Sequence, residues 1–359
     1  DAMPHSTYLP HRMGRAEVSP TGAFEAGSFQ EFAVTYTAGY FGIDDTGSIK
    51  IVHRFASDMG RPQFTDPKGW NYTTVEASNG AVLQVEYDQK RNIRPWDKTL
   101  FIRVMRGFLR EGDQIIVRFG DRRQGSPGIR VQTFCEPTFE FRVLVDAIAT
   151  YNYVELPEQP TIAIVAGPPV LYKAVLPTRR RARQPFRLGF KAEDKWGNPS
   201  DRVAARFRLR SNVRIDGLPA GFEMRYGERA KIFDGLSVPA PAQVTLEVLD
   251  AAGNVVCAAN PLDIVADAPL LPYWADLHGQ SEETIGTNSA RELIDFARDE
   301  AFLDAMSHQG NDFQITTPFW EELNRLTAEY NRDGRFIIFP GYEWSGNTGL
   351  GGDRNVLFM

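Results

Sequence analysis

Hydrophobic and polar residues alternate in short runs through the first two thirds of the chain, with a period of two. Ile49, Ile51, His53 and Phe55 interleave with Lys50, Val52 and Arg54, the spacing of a strand with one face on a core. Residues 100–105, 114–119 and 139–145 are further runs of this type, and a Gly-Asp-Arg-Arg-Gln-Gly turn at 120–125 separates two of them. The pattern predicts no amphipathic helix of ordinary length before about residue 285. This part of the chain reads as all-β.

A second β unit is predicted from Gly167-Pro168-Pro169 onward. Two strand-to-turn phrases mark it: 190–194 leads into Lys195-Trp196-Gly197-Asn198, and 246–250 into Ala251-Ala252-Gly253-Asn254. Both contain Asp-x-x-Gly-Asn, in which Asp caps the turn through its carboxylate while Gly and Asn accept positive φ. The phrases resemble the strand-turn pairs of bacterial immunoglobulin-like domains. The basic run Arg179-Arg180-Arg181-Ala182-Arg183 has no interleaved aromatics and no basic helix, so it is expected to be a solvated loop rather than a nucleic-acid contact.

Near residue 268 the pattern changes. Residues 275–278 read as a short strand, and Ser289-Ala290-Arg291-Glu292 is a capping box that opens an amphipathic helix to about Glu300. A strand at 302–307 follows, then a helix opened by Thr317 as cap and Pro318 at its first position, ending near Tyr330. Residues 336–339 make a third strand and 355–358 the start of a fourth. Strand-helix-strand-helix-strand predicts parallel βαβ units. The expected domains are therefore 1–166 (β-rich), 167–267 (immunoglobulin-like) and 268–359 (α/β).

Composition narrows the functional classes. The 359 residues include 31 Gly and 23 Pro, as turn-rich β structure requires, and only two Cys, too few for a disulfide framework or a Cys-ligated zinc site. The most apolar stretch, 161–176, is interrupted by Gly167, Pro168, Pro169 and Lys173, so no bilayer span is expected. The net charge of −6 is uneven: from Pro269 onward 15 acidic residues face six Arg and no Lys, while the remainder carries a small positive balance. An acidic C-terminal region suits a cation site better than a nucleic-acid groove. The chain opens at Asp1 rather than Met, which is compatible with a processed N-terminus and leaves cytoplasmic and periplasmic or secreted locations open.

Reactive side chains on a parallel sheet gather at the C-terminal strand ends. His278 ends the first of these strands, followed by Gln280, Ser281, Glu282 and Glu283; His308 ends the second, followed by Gln309, Asn311 and Asp312; Glu343 follows the third. Two imidazoles and a carboxylate on one rim suit Zn²⁺, Mn²⁺ or Fe²⁺ and a metal-activated water. The plain alternative is that these histidines only satisfy loop carbonyls. His53 lies on an apolar strand face and reads as core, while His5 and His11 lie in a Pro-containing opening with no evident partner. Trp196, Trp274 and Trp344 form no stripe and are expected in the core rather than on a sugar. The glycines at 346, 349, 351 and 352 lack a following Lys-Ser/Thr and read as a connecting loop, not a nucleotide cradle.

The phrase Asp276-Leu277-His278-Gly279-Gln280-Ser281, with Gly341-Tyr342-Glu343, resembles the opening of a PHP domain, named for polymerase and histidinol phosphatase. Residues 307–313, 339–347 and 351–356 more closely resemble the family catalogued as domain of unknown function 3604. The likeness covers about the last quarter of the chain. It implies the first part of a distorted β/α barrel holding more than one divalent transition metal. Its implied ligands are His278, His308 and Glu343, with Asp276 in support or as a further ligand. Gln280 stands where the resemblance implies a second His, so Glu282 is a candidate to rebuild that shell. Asp312 is expected as a proton carrier or extra ligand, and Arg354 as the side chain that stabilises anionic charge. The expected reaction is hydrolysis of a phosphoester or related small-molecule ester, with the rest of the barrel on the same gene product or a second chain. The rival reading is a non-enzymatic β-sandwich binding module carrying a degenerate hydrolase remnant.

Overall fold

The computed structural model describes residues 8–346 and 351–358. The chain divides into two compact units, Asp1–Val165 and Ala166–Met359. Strands dominate both, and no described helix is long and apolar enough to cross a membrane.

In the first unit, an antiparallel five-stranded sheet runs in the order Val154–Glu155, Arg142–Asp146, Ser48–His53, Lys98–Arg106 and Val82–Asp88. A four-stranded antiparallel sheet runs Gly14–Ser19, Phe32–Ala38, Gln114–Phe119 and Thr73–Ala77. One hydrophobic cluster draws Ile49, Ile51 and Ile102 from the former and Phe32, Val34, Val117 and Phe119 from the latter. His53 is core as expected: it is buried against Phe119, Phe139 and Phe141, with ring centroids 5.9, 5.1 and 5.3 Å away. The alternation stops there. Phe55 lies past the strand end, exposed beneath the Arg94 guanidinium.

The second unit opens with three small sheets around a core of its own. The two Asp-x-x-Gly-Asn loops are built alike. Asp194 accepts from the backbone N–H groups of Trp196 and Asn198 and from the Asn198 amide, and Asp250 accepts from the backbone and amide of Asn254. Gly197 and Gly253 supply positive φ, +90° and +95°. The basic run departs from expectation. Arg179–Arg181 is a strand beside Leu262–Val265, and Arg180 is buried, donating to the carbonyl of Pro272 beneath the Tyr273 ring. Its long apolar stem accounts for the burial, since the head still finds acceptors and an aromatic face.

After residue 274 the same unit forms three parallel strands, Ala275–Gly279, Ala305–His308 and Ile337–Ile338, in sequential order. Among the described residues they make an open sheet and no barrel. The Ser289 capping box is present in both directions, and its helix, Ala290–Asp295, continues as a π-turn over Phe296–Glu300. The second helix, Thr317–Tyr330, is capped one residue earlier than expected: Thr316 accepts from Phe319 N–H, which leaves Thr317 and Pro318 as its first two residues. Its buried face is Phe319, Leu323, Leu326 and Tyr330. The fourth strand also departs from the parallel pattern. Arg354–Leu357 pairs antiparallel with Gly341–Trp344, because so short a connection returns as a hairpin while a parallel crossover needs a dozen residues or more. The Gly349 part of its glycine loop lies outside the described residues. Trp196, Trp274 and Trp344 are exposed rather than core.

Candidate functional site

His278 sits at the end of the first parallel strand, its side chain about half exposed. Asn355, on the returning hairpin strand, donates its amide N–H to the Leu277 carbonyl at 2.8 Å. That bond fixes the amide orientation and turns Oδ1 toward His278 Nδ1, also at 2.8 Å. An oxygen can only accept, so Nδ1 carries a proton; in the neutral ring Nε2 then presents its lone pair, and in the charged ring it pairs with the facing carboxylate. Nε2 faces Glu343 Oε2 across 3.6 Å, a span too long for a hydrogen bond.

Glu343 is buried at the rim, and its carboxylate is held from two sides. Gln280 donates to Oε2 at 3.0 Å and Asn311 at 2.8 Å. The backbone is fixed as well: Glu343 N–H donates to the Gly310 carbonyl and Asp312 N–H to the Glu343 carbonyl, both at 2.9 Å. Gly341 permits this close approach, since a Cβ there would lie 2.2 Å from Gln309 Nε2 and 2.4 Å from the Val356 carbonyl.

His308 is buried in a separate network. Gly310 N–H donates to Nδ1 and Ser281 N–H to Nε2, both at 3.2 Å; Ser281 Oγ lies 2.8 Å from Nε2, and the Ser281 hydroxyl in turn donates to Glu283. Burial pushes the His308 imidazole down to about 4, so the ring is neutral at physiological pH. Both nitrogens are engaged, and His308 would have to release Ser281 or Gly310 to bind a metal.

The structure thus brings together two of the sequence candidates, His278 and Glu343. Among the described residues no three His, Cys, Asp or Glu side chains converge as a metal cluster. Asp276 instead accepts from the backbone N–H of His278 at 2.9 Å and shapes that strand end. Glu282 uses its backbone N–H to close the loop onto the Asn288 carbonyl. Arg354 pairs in register with Trp344, whereas Asn355 pairs with Glu343. Because side chains alternate along a strand, Arg354 stands on the opposite face of the hairpin from the His278–Glu343 pair. Asp312 lines a cleft on that opposite face with Trp320, Tyr342, Trp344 and Phe358. The side chains missed from sequence are Asn355 and Asn311. Asn311 carried the signal of following a strand-end His, while Asn355 carried none without its hairpin partner.

The residues fit a divalent ion as a two-ligand platform. In the neutral ring the Nε2 lone pair faces the carboxylate, whose Oε2 is oriented by two amides, the outer support that metal ligands characteristically have. A proton on Nε2 would make the same 3.6 Å contact an ion pair, and a divalent ion would compete with that proton.

No protein-family model matches the chain. It is similar to an uncharacterized protein of Chlamydia pneumoniae, 21% identical over 233 residues that make up 64% of this chain and 37% of that protein. It is also similar to an uncharacterized protein of Chlamydia trachomatis, 23% identical over 121 residues, 33% of this chain and 20% of that protein. The chain spans little more than a third of the first relative's length and a fifth of the second's.

Proposed function

We propose that the second unit carries a metal-dependent hydrolase site of PHP-like type, in which His278 and Glu343 hold a divalent ion, Zn²⁺, Mn²⁺ or Fe²⁺. The observation that carries this reading is His278 Nε2 facing, across 3.6 Å, a carboxylate that two amides already orient. Bound there, the ion supplies hydroxide at neutral pH and polarises an ester or phosphoester oxygen. The chain's own contribution is positional. Asn355 fixes the imidazole, Gln280 and Asn311 fix the carboxylate, and the buried His308–Ser281–Glu283 chain stiffens the loop that carries Gln280. His278 is half exposed, so water and substrate could reach an ion held there.

The test is metal content by elemental analysis, followed by Zn²⁺ and Mn²⁺ titration of the apo chain and of its His278→Ala and Glu343→Gln variants. The expected result is near-stoichiometric metal in the wild type, lost in both variants while circular dichroism is unchanged, with metal-dependent cleavage of a phosphoester panel. Equal metal affinity in wild type and His278→Ala would sink the reading.

A further inference from the structure

The first unit contains a cavity of about 350 Å³ whose walls include Asp58, Arg61, Asn71, Tyr87, Lys98 and Arg130. Three cations and one carboxylate make an uneven wall, and the carboxylate is already spent. Asp58 Oδ1 accepts from Thr133 N–H at 2.8 Å; Oδ2 accepts from Thr133 Oγ at 2.8 Å and from Arg130 at 3.3 Å. Among the described residues neither Arg61 nor Lys98 has a carboxylate within ion-pair reach. Lys98 donates to the Ser57 carbonyl, and Arg61 faces the Gln89 amide oxygen at 3.0 and 3.2 Å once that amide is turned oxygen-inward. Two further carboxylates lie near the wall: Asp97 is buried, 3.7 Å from Arg94, and Asp88 accepts from the Lys90 N–H at 2.8 Å.

Two neutral donors complete the wall. Asn71 takes up left-handed backbone, φ +63°, and its Oδ1 accepts from Arg130 N–H at 2.9 Å, leaving the Nδ2 donors without a protein acceptor among the described residues. The approach depends on Gly60, where a Cβ would stand 2.2 Å from Asn71 Oδ1. The Tyr87 hydroxyl likewise has no hydrogen-bond partner among the described residues. Burial holds the Lys98 ammonium below its usual range, with Arg61 reinforcing the shift and Asp97 and Asp58 opposing it. A wall with guanidinium, ammonium, amide and phenol donors, whose one carboxylate is already engaged, favours an anionic ligand.

We infer that this cavity binds a compact oxyanion, the phosphate or carboxylate group of a small polar molecule, through Arg61 and Lys98 with Asn71 and Tyr87 as neutral donors. The site is independent of the metal rim of the second unit. Arg61 and Lys98 supply the charge, Arg130 remains tied to Asp58, and the cavity has room for a ligand larger than the anion alone.

The probes are inorganic phosphate and succinate, titrated calorimetrically into the intact chain at low ionic strength with chelator present. The expected result is saturable binding of at least one probe, one per chain, weakening as salt is added. Arg61→Gln and Lys98→Met should each weaken it by about tenfold or more, the worth of one charge-assisted hydrogen bond. Which probe binds tells phosphate from carboxylate. Persistence of binding in His278→Ala separates this site from the rim. Arg61 is exposed and its replacement leaves the core untouched, so that variant reports even where Lys98→Met fails to fold. Binding of neither probe, or wild-type affinity in Arg61→Gln, overturns the inference.

Discussion

Acid should destabilise the first unit through His53, and the size of the effect follows from the ring's surroundings. The imidazole is buried among Phe119, Phe139 and Phe141, and its Nε2 has no hydrogen-bond partner among the described residues. Burial first, and the Lys98 charge second, push it down to about 3 from an ordinary 6.5. Between those two values the unfolded chain binds a proton that the folded chain refuses. Stability therefore falls as pH drops through the window. At pH 5 the folded ring is still neutral, so the loss relative to pH 8 is set by the unfolded state and amounts to about 2 kcal/mol. The measurement is urea unfolding of the intact chain at both pH values, read by pulsed hydrogen exchange so that the Gln114–Phe119 strand reports the first unit. His53→Phe keeps an aromatic in the cluster and removes the titration. Its absolute stability will differ because of the added volume, but its change between pH 8 and pH 5 should be smaller by about 2 kcal/mol. Equal pH dependence in the two proteins would refute the reasoning. Comparing wild type with variant also cancels the contribution of His308, which titrates in an overlapping range.

Three further outcomes are expected. Asn355→Ala frees the His278 ring without removing a ligand, so metal affinity should fall about 10- to 100-fold, and unchanged affinity in titration would contradict the role given to Asn355. A Cβ at Gly189 would stand 2.5 to 2.7 Å from the Phe302 ring; Gly189→Ala should therefore cost about 1 to 3 kcal/mol, visible as a lower melting temperature and faster proteolysis after residue 295. Asp194→Ala strands the buried N–H groups of Gly167 and Asn198, along with that of the exposed Trp196, and should cost about 2 to 4 kcal/mol. The matching Asp250→Ala, in an exposed copy of the same turn, should be far milder, and equal losses in chemical denaturation would show that burial is not what separates them.

What could be read along the chain was whatever local spacing controls. The Ser289 capping box joins residues three apart, the Asp-x-x-Gly-Asn loops close over four, and the buried face of Thr317–Tyr330 repeats at helical spacing. His278 was legible as a strand-end residue because parallel strands bring their C-terminal ends to one rim, whereas Glu343 reaches it from within the antiparallel strand Gly341–Trp344. Other features depend on which distant strand arrives alongside. Asn355 reaches His278 from 77 positions away, and only the antiparallel return of its strand puts it on that face and Arg354 on the other. Arg180 reads as solvated within its basic run, yet the Pro272 carbonyl and the Tyr273 ring, some ninety positions later, give it a buried place. His308 has a suitable position in sequence, but the loop folded over it spends both nitrogens on Ser281 and Gly310. The sequence by itself determined the two helices, their caps and the tight turns, because hydrogen bonds and periodicity act over a few residues. The tertiary structure alone decided which polar atoms on that rim remain unpaired, since a lone pair is free or occupied according to what packs against it.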